Sequence, residues 1–330
     1  MSVDQIVQLI QSAIQFGTVI LFGAMGEILT EKSGNLNLGV PGIMYLGGIA
    51  GLAASFFYEF NNPDPSGFVC LVISLLAAFA ASALGGLLYS FLTITLRANQ
   101  NVTGLALTIF GTGVGQYIGE IMRIREGGFV AVGNDLKAVF ISSPFPQAMQ
   151  DIPYVGKILF GNSIFFYLGV VLAIVMHLFL NKSRTGLQLR SVGESPATAD
   201  AAGINVTRYK YLATCVGSMI AGLGGLYYVM DYASGVWSNN AFGDRGWLAI
   251  ALVIFTIWRP NVSVLASILF GGLYILYLYI PTGSQMAVKE LYKMLPYVVT
   301  VVVLVISSLR NNKEKQPPAS LGLSYFREER

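Results

Sequence analysis

The stretch RTGLQLRSVGESPATADAAGINVTRYKYLATCVGSMIAGLGGLYY, residues 184–228, changes character halfway. Its first half holds charges, small residues and turn formers. From Tyr209 onward it becomes an apolar run long enough to enter a bilayer as a helix. A basic connection that feeds directly into such a run is the pattern of a chain that crosses a membrane repeatedly. Composition agrees. Of 330 residues, 54% are hydrophobic and 11% charged, with a mean hydropathy of +0.63, whereas soluble domains carry about a quarter charged residues. Apolar runs at about 6–28, 36–58, 68–96, 102–122, 163–180, 209–230, 246–258, 262–280 and 291–308 predict an all-α, polytopic integral membrane helical bundle of about nine transmembrane helices. The third run is long enough to require tilt or extension beyond the bilayer, and the seventh is short.

Orientation follows from the basic residues, which collect in cytoplasmic loops. The connection 181–210 carries Lys182, Arg184, Arg190, Arg208 and Lys210, and the tail carries Lys313 and Lys315. Placing both inside requires an even number of intervening spans, and four are found. Lys32, Arg97 and Arg259 then also fall inside, the acidic loop 59–67 outside, and the N-terminus outside. The first 20 residues contain Asp4 but no Lys or Arg, so the first run reads as a retained span. Residues 1–312 form one transmembrane domain with a cytoplasmic loop at 181–208. The external segment 123–162 reads as ordered at the interface, because IPYVGKILF is too apolar for a free linker. The tail 313–330 reads as cytoplasmic and disordered.

Several chemistries are excluded. No G-x-x-x-x-G-K-[ST] phosphate loop is present. His177 is the single histidine, which removes a His-based metal cluster and disfavours a Ser-His triad. Cys70 and Cys215 lie in separate apolar runs as packing residues. The net charge of +3 is too small to point to a nucleic acid polymer as partner. No catalytic site, metal or cofactor is expected. Three acids could serve an ion-coupled carrier: Glu27, Glu120 and Asp231. None falls at a span's midpoint, and Glu120 has Arg123 three residues on, which counts against a secondary transporter. A passive channel is a weaker option.

Two segments deserve a closer reading. SGNLNLGVPGIMYLGG, residues 33–48, places asparagines, glycines and a proline at the head of an apolar run. It reads either as a broken helix start beside a translocation path or as a turn followed by a helix with Pro41 near its first turn. GESPATADAAGINV carries a compact helix signature: Ser195 as cap, Pro196 in the first turn and Gly203 as terminator. The residues between are small. Such a helix is either an ordinary loop helix or a low-profile element that seats in a groove of another protein.

Residues 184–228 resemble the permeases of bacterial ABC importers for nucleosides and simple sugars, in the branched-chain amino acid/ribose-type group. Arg184, Gly186, Leu187, Leu189, Arg190, Val192, Gly193, Glu194, Pro196, Ala197, Ala199, Gly203 and Ile204 match that group's run as they stand, with Ser195 in place of the usual Asn. The segment 33–48 is similar to G-x-x-N-I-G-x-E-G-x-M-L-x-G, with Pro41 where Glu is common, and GDRGWLAIALVIFTIWRP (243–260) also resembles the group. The resemblance implies a type II importer permease in the bacterial plasma membrane, surrounded by lipid. It further implies two ABC ATPase subunits that hydrolyse the ATP, a second permease (identical or related) and an extracytoplasmic solute-binding lipoprotein. The chain itself is then not an enzyme. Glu194, Ser195, Pro196, Ala197, Ala199, Ala202, Gly203 and Ile204 become the coupling residues. Asn35, Asn37, Asn101, Thr103, Thr108, Trp237, Asn239, Arg245 and Trp247 become candidates for the substrate pathway. The small-molecule cargo is ranked as nucleosides, then ribose- or galactose-like sugars, then a flavin-like vitamin.

Overall fold

The apolar runs become helices because a helix satisfies its own backbone within the run, and some end at a residue that disfavours helix, as α2 does at Asn62 and α4 at Gly127. A computed structural model describes residues 3–240, 242–279, 286–309 and 316–327. Its helices are α1 (Val3–Glu31), α2 (Val40–Asn61), α3 (Gly67–Ser90), α4 (Gln100–Glu126), α5 (Asn134–Ile141), α6 (Gln147–Gln150), α7 (Val155–Leu159), α8 (Ile164–Lys182), α9 (Arg184–Glu194), α10 (Pro196–Ala201), α11 (Val206–Tyr227), α12 (Arg245–Phe255), α13 (Pro260–Ile275), α14 (Met286–Lys293) and α15 (Leu295–Leu309). π-Helical turns extend α3 through Phe91–Thr95 and α11 through Tyr228–Tyr232. Among the described residues there is no strand, only an isolated bridge between Ala131 and Val236.

Each of the nine expected apolar segments corresponds to a helix. Six of them, α1, α2, α3, α8, α11 and α13 with their extensions, are long and apolar enough to cross a membrane by themselves. The protein is therefore a multi-pass helical membrane bundle. α12 is different: its 11 residues rise about 16 Å, too little to span a bilayer.

α1, α2 and α11 form the centre. α1 is buried almost continuously from Ala13 to Glu31, and α2 and α11 bury most of their surface. α3, α8 and α13 pack around them and leave Leu76, Leu84, Val171, Ile174 and Leu265 outward. In lipid such a surface carries no penalty, since the tails are as apolar as the side chains. Close approach of the central helices depends on glycine. A Cβ on Gly225 of α11 would stand 1.8 Å from the Met44 carbonyl oxygen of α2, and one on Gly111 of α4 would stand 2.3 Å from the Gly42 oxygen.

The segment between α4 and α8 is ordered, as its apolar residues predict. Val130, Val132, Leu136 and Phe140 are buried, and α5 packs on α3 and on the π-turn of α11. The tail departs from the sequence expectation of disorder. Residues 316–327 lie against the bundle: Ser320 Oγ donates to the Gly193 carbonyl at 2.6 Å, the Gly322 amide to Gly34 O at 3.4 Å, and Pro318 and Ser320 are buried. Its low local hydropathy misleads because the tail is held by hydrogen bonds and small residues, which composition does not register. Residues 313–315 and 328–330 lie outside the described residues.

Candidate functional site

At the end of the bundle that carries Lys32, Arg97, Arg190 and Arg208, three capped helices follow one another. Ser183 Oγ accepts the Gly186 amide at 2.9 Å and starts α9. Ser195 accepts the Thr198 amide at 3.4 Å and pairs with the Thr198 hydroxyl at 2.7 Å, starting α10 with Pro196 at its head. Asn205 Oδ1 accepts the Arg208 amide at 2.9 Å and starts α11. Gly203, at φ 81°, turns the chain after α10, a conformation that favours glycine. The helix signature read in the sequence is present with its cap, its proline and its terminator.

α10 is too short to persist alone. A small apolar cluster of Val192, Ala199 and Val206, covered by Ile204, Tyr209 and Tyr325, holds it to the body. Ala199 thus faces inward and anchors the helix, while Ala197, Ala201, Ala202 and Gly203 form its exposed side. α9 is fixed below it: the Tyr209 hydroxyl donates to Gln188 Oε1 at 2.5 Å and Arg190 Nη1 to Asn181 Oδ1 at 3.0 Å. Glu194 is exposed, and its Oε2 accepts the Ala319 amide at 3.3 Å. Lys32 sits under this loop, its ammonium pKa pushed down to about 8 by burial first and then by the Arg190 charge.

The interruption at 32–39 is buried, with Asn35 and Asn37 each 1% exposed. Its backbone groups find partners from elsewhere in the fold. Gln100 Oε1 accepts the Leu36 amide at 2.7 Å, Glu27 Oε1 accepts the Asn37 amide at 3.0 Å, and Asn37 Oδ1 accepts the Gly39 amide at 2.9 Å. The Tyr89 hydroxyl donates to Leu36 O, and the Thr108 hydroxyl donates to Leu38 O at 2.9 Å. Non-helical backbone at such a depth is tolerated when protein groups satisfy it in this way. Asn35 Nδ2 donates to the Thr214 hydroxyl at 3.2 Å. The segment is a turn with Pro41 in the first turn of α2, and it is enclosed by polar side chains of four helices.

Glu31, four residues beyond Glu27 on the same face of α1, was not legible as a site residue although the i,i+4 spacing on an apolar helix is a signal. Its carboxylate accepts the indole N–H of Trp258. Ile257 and Trp258 have φ of 54° and 53°, which non-glycine residues adopt only when the surroundings impose it. Replacing Trp258 by Phe removes the donor and leaves a buried carboxylate oxygen unpaired. We expect about 1–3 kcal/mol of lost stability, read as a lower unfolding temperature in detergent, with Glu31→Gln costing less because its amide oxygen still accepts.

The nine pathway candidates do not converge. Asn35, Asn37, Asn101, Thr103 and Thr108 lie at or beside the interruption. The Thr103 hydroxyl is spent on Asn99 O at 2.8 Å, and Asn101 is exposed on the first turn of α4. Trp237, Asn239, Arg245 and Trp247 lie toward the other end. Trp237 packs on Gly119, roughly 24 Å along α4 from Thr103. Its indole N–H donates to Asn239 Oδ1 at 3.1 Å, and its ring meets Tyr45 edge-on at 5.9 Å. Arg245 lies 4.9, 4.6 and 5.0 Å from the ring centres of Phe16, Tyr228 and Tyr232 and donates to Phe242 O at 2.9 Å. Trp247 packs against the core. Glu120 pairs with Arg123, as its spacing predicts. Among the described residues no group of His, Cys, Asp and Glu could hold a metal.

Residues 9–304 match the family of the branched-chain amino acid transport system / permease component, and the chain belongs to that family. It is 28% identical to a putative glucose ABC transporter permease protein, TsgC13, of Haloferax volcanii, over 97% of this chain and 98% of the relative. It is 29% identical to the guanosine ABC transporter permease protein NupQ of Bacillus subtilis (92% and 93% of the two chains). It is also 29% identical to the nucleoside ABC transporter permease protein NupC of Lactococcus lactis (90% and 91%). No solved structure matches.

Proposed function

We propose that this chain is the membrane permease subunit of an ATP-binding-cassette importer that moves nucleosides into the cell across the plasma membrane. The observation that carries the reading is α10. It is capped at both ends, clamped by Ala199, lined outward by small residues, and linked through Asp200, the tail and Gln100 to the interrupted segment 32–39. A partner ATPase that pushes on Ala197 and Gly203 therefore acts on an element hydrogen-bonded toward Asn35 and Asn37. The basic end is then cytoplasmic, in accord with the positive-inside rule, and the C-terminus lies on the same side.

In this assembly ATP is hydrolysed on separate ABC ATPase subunits, a second permease completes the membrane unit, and a solute-binding lipoprotein delivers cargo from outside. Similarity to guanosine and nucleoside permeases supports nucleosides as the cargo, and similarity to a putative glucose permease supports a sugar as the alternative. Asn35, Asn37 and the exposed Asn101 serve the inner part of the path, and Trp237, Asn239 and Arg245 its outer mouth, where aromatic rings suit a base or sugar face.

The test is uptake of a labelled nucleoside into proteoliposomes that hold this chain with its ATPase and binding protein. ATP-dependent accumulation supports the reading. Accumulation driven by a proton or sodium gradient without the ATPase refutes it, and ATP-dependent uptake of sugar alone keeps the machine and replaces the cargo.

A further inference from the structure

We infer that the cavity between α10, the start of α11, the residues after the π-turn Phe91–Thr95 and the C-terminal tail is a binding site for a phosphate group, carried by a soluble organic phosphate or by an anionic lipid headgroup. The cavity measures about 700 Å³. Its walls hold four cationic side chains, Arg97, Arg208, Lys210 and Arg327, against the carboxylate of Asp200 alone. That carboxylate is already engaged, accepting the Tyr325 hydroxyl at 2.8 Å and Arg327 Nε at 3.2 Å.

Lys210 decides the sign of the site. It is 3% exposed, lines the cavity, and no carboxylate or carbonyl pairs with its ammonium among the described residues. A buried charge without a counter-ion is costly, and a bound anion offsets that cost. α11 adds the positive end of its dipole, since its first turn, Val206 to Arg208, forms part of the same wall. Arg97 reaches the cavity from a left-handed backbone, φ 57°, and lies over the Phe326 ring at 4.5 Å. Strain of that kind is retained where the surroundings require one placement of a side chain.

Phosphate suits this donor set better than a carboxylate does. It carries up to two charges, and its oxygens accept from a guanidinium fork and an ammonium at once. The volume exceeds one phosphate and leaves room for an organic moiety. Both sources of the group have access to the basic end: soluble phosphate esters from the aqueous side, and anionic lipids from the leaflet that contacts it.

The experiment uses the full-length protein in a neutral detergent and in nanodiscs. Inorganic phosphate and adenosine monophosphate are titrated by calorimetry, and retention of phosphatidylglycerol against phosphatidylcholine is read by mass spectrometry. We expect saturable binding of at least one probe, at least tenfold weaker in Lys210→Met and severalfold weaker in Arg208→Gln. Binding of the soluble probes assigns a free phosphate ester, and selective loss of phosphatidylglycerol in the variants assigns a lipid. If Lys210→Met does not purify, the exposed Arg208→Gln carries the comparison. Absence of binding by every probe, or affinity unchanged in Arg208→Gln and in any Lys210→Met protein obtained, overturns the inference.

Discussion

Substrate uptake falls at least tenfold when Gly203 is replaced by arginine, while the protein still inserts and the assembled ATPase still turns over. The backbone at Gly203 has φ 81°, so a side chain there costs about 1–2 kcal/mol. A Cβ at this position meets nothing within 4 Å. The fold therefore survives the change, and the new guanidinium projects from the surface on which the ATPase is proposed to seat. Ala197→Arg makes the same test without backbone strain, because Ala197 is exposed within α10. With either variant, the proposed ATPase partner is expected to keep hydrolysing ATP while transport is lost. Normal uptake in both would remove α10 from the docking surface, and failure of Gly203→Arg alone would mark a folding effect.

A second large effect lies in the centre of the bundle. Gly225→Val is expected to abolish recovery of folded protein. Its Cβ would stand 1.8 Å from the Met44 carbonyl oxygen, 2.7 Å from the Met44 carbonyl carbon and 2.9 Å from the Gly48 nitrogen, all backbone atoms of α2. Neither helix can yield locally, so α2 and α11 must separate, at a cost above the ~1–3 kcal/mol typical of an overpacked core. The matched control is Gly113→Val on α4, where an added Cβ meets nothing within 4 Å. Monodisperse yield after detergent extraction distinguishes them: near zero for Gly225→Val and close to the parent for Gly113→Val. Equal yields would mean that the α2–α11 contact does not hold the bundle together.

The hydrogen-bonded chain from α10 to the interruption gives the expected loss of uptake a mechanical reading. Asp200 holds Tyr325 and Arg327 of the tail, the tail's Leu323 carbonyl accepts from Gln100 Nε2 at 3.5 Å, and Gln100 Oε1 accepts the Leu36 amide. Glu194 and Gly193 hold the same tail at Ala319 and Ser320. Elements so connected move together only if the links have two arrangements, which double-mutant cycles between Asp200 and Gln100 would detect as a coupling energy.

The sequence by itself determined what short-range physics controls. Length and apolarity located the helices, since each apolar run must satisfy its own backbone in lipid. Ser195, Pro196 and Gly203 located α10, since caps act within three or four residues. The tertiary structure decided what depends on contact between distant segments. Glu31 meets Trp258, Asn37 leans on Glu27, and a tail with a disordered composition becomes a strap because Ser320 finds the Gly193 carbonyl. Lys210 comes to share one cavity with Arg97 and Arg327, each more than a hundred residues away along the chain. Periodicity and caps carry no record of such meetings, because burial of a polar side chain is decided by whichever helix packs over it.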